Sequence, residues 1–166
     1  MGSFTIGNKE ISKTSPTYFI ADVAANHDGD LVRAKELIHM VAENGGDAAK
    51  FQNFQAPKIV SKQGFEKLKG KLGHQSSWKK SVYEVYEDAS ISKNWTEELK
   101  ETCLKYEIDY FTTPYDFESV DLVDPFVDMY KVGSGDITWL EMLDYLGERG
   151  KPVMLASGAS TIEDVD

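Results

Sequence analysis

Met129-Tyr-Lys-Val-Gly-Ser-Gly-Asp136 and Lys151-Pro-Val-Met-Leu-Ala-Ser-Gly158 decide how this chain is read. Each is a short apolar run closed by a small turn that carries glycine and serine. The segment between them has room for one helix, and parallel strands need a crossover of about a dozen residues, so the pair reads as a βαβ unit. Both turns then fall at the C-terminal ends of strands, the rim where α/β folds place their ligand chemistry. Lys131, the Ser134 hydroxyl and the backbone N–H groups freed by Gly133 and Gly135 suit an anion such as phosphate or carboxylate.

Working outward, the same pattern repeats. Tyr18-Phe-Ile-Ala-Asp-Val-Ala24 reads as a strand ending in the turn-rich Asn26-His-Asp-Gly-Asp30. A helix follows, with apolar residues at 31, 34, 37, 38, 41 and 42, and Gly45-Gly46 stops it. Residues 47–52 and 108–113 read as the second and third strands, 127–132 as the fourth and 152–157 as the fifth. Helices are expected around Trp78 to Asp88, from Asn94, over 116–122 and from Thr138 to near Gly150, with a last one opening at Ser160. Phe4 to Ile11 reads as a hairpin turning at Gly7-Asn8. Five strands alternating with helices fit either a doubly wound sheet or the N-terminal portion of a (β/α)8 TIM barrel, which takes ~250 residues when complete.

Composition narrows the function. A chain of 166 residues is expected to form one domain, and its 41% apolar content can build a core. The net charge of −10 argues against a general nucleic-acid or anionic-membrane partner. Residues 58–80 run the other way, with seven lysines against Glu66, and read as a solvated loop. A single cysteine excludes an internal disulfide framework and fits a reducing, cytoplasmic setting. Cys103 itself lies on a helical apolar stripe and is expected in the core. No run approaches the ~18 apolar residues of a membrane helix, so no membrane partner is expected.

Strand side chains alternate, so residues two apart share a face. Asp22 goes with Ile20 and Ala24, Lys50 with Ala48 and Gln52, Thr113 with Phe111, Lys131 with Met129, and Ser157 with Leu155. If those faces converge at one rim, the site collects Asp22, Lys50, Gln52, Thr113, Lys131, Ser134 and Ser157. Two buried ammonium groups against one carboxylate are costly without a further partner, and a bound dianion would supply it.

Five motifs now stand in register: Ile20-Ala-Asp-Val-Ala-Ala-Asn-His-Asp-Gly29, Gly46-Asp-Ala-Ala-Lys-Phe-Gln52, Phe111-Thr-Thr-Pro-Tyr-Asp116, Tyr130-Lys-Val-Gly-Ser-Gly-Asp136 and Lys151-Pro-Val-Met-Leu-Ala-Ser-Gly158. Together they resemble the N-acetylneuraminate (sialic acid) synthase family, over nearly the whole chain. The resemblance implies an α/β fold, the N-terminal portion (about five βα units) of a (β/α)8 TIM barrel, cut near the sixth strand and without the family's C-terminal antifreeze-like domain. It implies condensation of phosphoenolpyruvate with an N-acylated amino sugar such as N-acetylmannosamine, with release of phosphate. In that reading Lys50, Thr113, Lys131, Ser134 and Ser157 hold phosphoenolpyruvate, Gln52 lines the pocket, and Asp22 binds or orients the sugar. Asp22 and Lys50 are the candidate catalytic pair. The family usually carries Glu where this chain has Asp22, which keeps the carboxylate one methylene shorter.

A divalent metal, Mn2+ or Mg2+, is expected for the full-length enzyme, with its histidine ligands outside this chain; His27, His39 and His74 read as structural or solvated. A homodimer is expected at full length, and no turnover from these 166 residues alone. Two other readings stay open: a Schiff-base aldolase using Lys50 or Lys131, and a non-catalytic binding domain derived from a barrel.

Overall fold

Strand order separates the two architectures that periodicity left open. The computed structural model describes residues 2–68 and 79–165. Its main sheet holds five strands, β3 (Ile20–Ala24), β4 (Ala48–Asn53), β5 (Asp109–Pro114), β6 (Tyr130–Val132) and β7 (Val153–Leu155), side by side in chain order and all parallel. A doubly wound sheet reverses its strand order at a switch point. None occurs here. Steady advance in one direction is how a (β/α)8 barrel is laid down, and the chain is the N-terminal, five-unit portion of one.

The crossovers are helical for local reasons. In α1 (Leu31–Glu43) the Asp30 side chain caps the first turn, accepting from Val32 N at 2.7 Å and Arg33 N at 3.2 Å. Ala34 and Ile38 form its buried stripe, and Gly45, at φ +77°, takes the left-handed conformation that ends it. Two short helices, α2 (Ala56–Ile59) and α3 (Lys62–Leu68), precede α4 (Val82–Asp88), where Ser81 and Glu84 form a reciprocal capping box. The helix expected from Trp78 therefore begins later, and Trp78, Lys69, Lys71 and His74 lie outside the described residues.

Helix α5 (Trp95–Lys105) packs against both α1 and β5. It buries Leu99 and Cys103, the cysteine on the core stripe where the pattern placed it, and burial pushes its thiol up to about 12. The chain continues through α6 (Phe117–Val123), α7 (Leu140–Gly147) and α8 (Ile162–Val165). The fourth and fifth strands are shorter than expected, three residues each. Asp124–Phe126 forms a 3-10 turn that delays β6.

One sheet face carries Phe51, Tyr110 and Tyr130, buried against the helix layer. Asn53 ties that layer together: it accepts from Thr112 Oγ1 at 2.7 Å and donates to Thr96 Oγ1 of α5 at 3.2 Å. At the opposite end from the rim, the antiparallel hairpin of β1 (Phe4–Ile6) and β2 (Lys9–Ile11) buries Ile6. It is held by Lys9 Nζ on Asp47 Oδ1 at 2.6 Å. Gly7, at φ +54°, makes the turn, and a Cβ there would come within 2.6 Å of Asp109 Oδ1.

Candidate functional site

Register places the polar residues of the other sheet face. Asp22 pairs with Lys50, and Lys50 with Phe111, so these three stand in one row. Gln52 pairs with Thr113 in the next row toward the strand ends. Thr112 pairs with Tyr130, which sets Thr113 beside Lys131, and Lys131 pairs with Met154. Asp22, Lys50, Gln52, Thr113 and Lys131 thus share a face, as the alternation argument expected. The fifth strand departs from it. Met154, not Leu155, accompanies Lys131, because β7 pairs one residue out of step with the assumed phase. Ser157 lies beyond that strand, in an exposed turn. Ser134 is half-buried in the turn after β6, and its carbonyl accepts from Ser160 Oγ at 3.3 Å.

The electrostatics are unusual for a sheet face. Lys50 is buried, and its Nζ lies 2.7 Å from Asp22 Oδ1. Lys131 has its pKa lowered from the ordinary lysine value, first by burial and then by the Lys50 ammonium; Asp22 and Asp136 work against that. Thr113 Oγ1 is buried and has no hydrogen-bond partner. A buried hydroxyl with nothing to bond is expensive, and this one belongs to the strand face that carries both lysines.

Two residues that the strand-face argument omitted complete the group. A Cβ on Gly133 would lie 2.9 Å from Asp136 Oδ2, 3.7 Å from Tyr115 Oη and 3.9 Å from Lys131 Nζ. All three polar atoms therefore crowd the one point where the chain has no side chain. Tyr115 Oη also accepts from Gln52 Nε2 at 3.3 Å. Burial pushes the Tyr115 hydroxyl up to about 12, helped by Asp136, and keeps it neutral. Burial also raises the Asp136 carboxyl above the usual aspartate value, against the pull of Lys131. Beside Asp22, Asp136 is a second carboxylate against the two lysines, though one whose ionisation is disfavoured. Both residues sit in the quoted motifs, but each follows the end of a strand, where alternation gives no facing.

His27 and His39 stand elsewhere. His27 is buried between Phe51 and Trp95 on the helix side, with Gly29 N donating to its Nδ1 at 3.1 Å. His39 lies on α1 beside Glu43. Among the described residues no group of three His, Cys, Asp or Glu is placed to hold a metal ion. With Lys50 on Asp22 and Lys131 on the same face, the donor set of this cluster fits a cation poorly. No helix of the described chain is long and apolar enough to cross a membrane.

Comparison with known proteins bears on this cluster of lysines and hydroxyls at the strand ends. The NeuB family model matches residues 37–166. The chain belongs to the NeuB family. Among curated relatives, spore coat polysaccharide biosynthesis protein SpsE of Bacillus subtilis is 30% identical over 99% of this chain and 43% of its own length. Pseudaminic acid synthase of Helicobacter pylori is 31% identical over 88% of this chain and 43% of its own. The chain thus spans less than half the length of the curated relatives it matches. In fold it is similar to the N-acetylneuraminic acid (sialic acid) synthetase of Leptospira borgpetersenii serovar Hardjo-bovis, solved with citrate. That match has a TM-score of 0.84 at 24% identity and covers 99% of this chain and 52% of the other. The NeuB membership agrees with the resemblance read from the five motifs.

Proposed function

We propose that this chain supplies the phosphoenolpyruvate-binding part of a nonulosonic acid synthase, which condenses phosphoenolpyruvate with an N-acylated amino sugar and releases phosphate. The observation that carries the reading is the placing of Lys50 and Lys131 on one strand face beside the unpartnered Thr113 hydroxyl. Phosphoenolpyruvate carries a carboxylate and a phosphate, and both ammonium groups gain a partner when it binds. The NeuB membership and the names of the synthases among its relatives agree with it.

In the proposed reaction the enol carbon forms a bond to the aldehyde carbon of the open-chain sugar, whose oxygen takes up a proton. Water adds to the carbon that bears the phosphate. The C–O bond to phosphate then breaks, leaving a keto acid and inorganic phosphate. Lys50 and Lys131 hold the anion and offset charge on its oxygens, a preorganised electrostatic role. Ser134 and Ser157 extend the donor set along the rim. Asp22 holds Lys50 and meets the sugar. Asp136, with its raised pKa and its place between Lys131 and Tyr115, suits proton transfer as water adds or phosphate leaves. A divalent cation belongs to this proposal for the complete enzyme, with ligands outside the chain, and no step here runs through it.

Phosphate release from phosphoenolpyruvate and N-acetylmannosamine, measured with the complete gene product, tests the proposal. Phosphate release that depends on both substrates is expected, and no release with any N-acylated hexosamine would overturn it. The lowered pKa of Lys131 also favours a second reading, a Schiff-base aldolase. Borohydride trapping with pyruvate decides between them: an adduct on Lys131 or Lys50 supports the aldolase, and its absence supports the synthase.

A further inference from the structure

Next to the proposed phosphoenolpyruvate site lies a hollow of about 440 Å³ that the reaction above does not use. Four separate elements turn aromatic rings into it: Phe54 after β4, Phe65 on α3, Tyr86 on α4 and Trp139 before α7. The Phe54 ring is pinned, 5.7 Å from Tyr86 and edge-on to Tyr115 at 5.9 Å. Lys58, Ile59 and Val60 line it as well, and the rest of the wall is Gln52, Tyr115 and Asp136, the last two already placed beside Lys131. The hollow and the proposed site therefore share one partition.

Its chemistry differs from that of its neighbour. The lysine that lines it, Lys58, is engaged by Asp116 at 3.1 Å and Glu118 at 2.8 Å, so the cleft is not a second anion site. Aromatic faces favour C–H groups and short apolar chains, and they orient such groups without asking for charge. We infer that this cleft receives an acyl or alkyl substituent of the acceptor sugar while the reacting carbonyl sits over Gly133, and that it sets which acceptor is used. The inference rests on the synthase reading and adds the part of the substrate that reading leaves unplaced. Asp136 and Tyr115, on the partition, would meet the sugar between its reacting end and its apolar arm.

Discrimination of one methylene in an apolar pocket is worth about 10-fold to 200-fold in kcat/KM, so the test is kinetic. The complete gene product and its Trp139→Ala and Phe65→Ala variants are assayed with phosphoenolpyruvate and either N-acetyl- or N-butanoylmannosamine. The expected result is an acceptor KM raised about 10-fold, a preference between the two acceptors shifted by a similar factor, and an unchanged KM for phosphoenolpyruvate. Acceptor KM and preference both unchanged in folded variants would overturn the inference. Should the alanine variants fail to fold, fluorescence serves instead. Titrating N-acetylmannosamine should quench a signal that the Trp139→Phe variant lacks, and identical titrations of the two proteins would overturn the assignment. If the unmodified protein fails to bind phosphoenolpyruvate, the synthase reading itself falls and takes the cleft's role with it.

Discussion

Lys50 Nζ sits 2.7 Å from Asp22 Oδ1, yet the lysine side chain is 5% exposed and the aspartate side chain 64%. One charge is almost out of water and its partner is mostly in it. Such a pair holds the ammonium in place without neutralising the space on its other side.

Replacing Asp22 by asparagine therefore leaves a buried ammonium without its ion pair. Breaking a fully buried pair costs about 3–5 kcal/mol, but solvent reaches Asp22, so about 1 kcal/mol is expected here. Thermal unfolding should show a fall of roughly 2–4 °C for a chain of this size. Added phosphoenolpyruvate should stabilise the Asp22→Asn variant more than the parent, because the ligand then supplies the missing anion. Lys50→Met should instead weaken phosphoenolpyruvate binding by about 100-fold, read by calorimetric titration.

The lowered pKa of Lys131 sets an alkaline limit on the same binding. Burial and Lys50 favour the neutral amine, so Lys131 loses its charge at a lower pH than an ordinary lysine. Affinity for phosphoenolpyruvate should fall as pH rises through that value. Arginine stays charged across this range, so Lys131→Arg should shift the decline to higher pH; an unmoved decline would assign it to another group.

Asp136 runs the opposite way. Its folded pKa is raised, so its contribution to stability is complete below the unfolded aspartate value and is lost as pH rises through the folded one. At neutral pH the carboxylate is a cost, and Asp136→Asn should raise the melting temperature by about 2 °C. The same change should lower turnover by about 100-fold or more while phosphoenolpyruvate binds at least as tightly.

Gly133→Ala tests the crowding directly. Its backbone φ is ordinary, so alanine is not strained there, but the new Cβ would sit 2.9 Å from Asp136 Oδ2. The carboxyl must move. Binding of phosphoenolpyruvate should weaken about 10-fold with little change in the melting temperature, since the disturbance is confined to the pocket.

On the other face, Asn53 is the polar joint of the core. It is 1% exposed and accepts from Thr112 while donating to Thr96. Asn53→Ala strands both hydroxyls in the interior, which should cost about 2–3 kcal/mol. The denaturation midpoint should drop with its slope unchanged.

Much of this was legible from the residues. The five strands, the main crossover helices, the hairpin and the core position of Cys103 follow from periodicity and glycine punctuation, which act over a few neighbouring residues. So does the shared face of Asp22, Lys50, Gln52, Thr113 and Lys131, because alternation holds wherever pairing is regular. It failed at β7, where Met154 takes the place expected of Leu155, since the phase of a short strand is set by its neighbour and not by its own pattern.

By itself the sequence determined which residues could be strands, which carried charge, and which of them alternate onto one strand face. Only the tertiary structure decided that the strands run in unbroken order, that Asp136 and Tyr115 close on Lys131, and that an aromatic cleft adjoins them. Local preference comes from side-chain sterics within a turn or a strand. Those other features depend on contacts between elements tens of residues apart, such as Tyr115 with Gln52, and their energies appear only once the chain has folded.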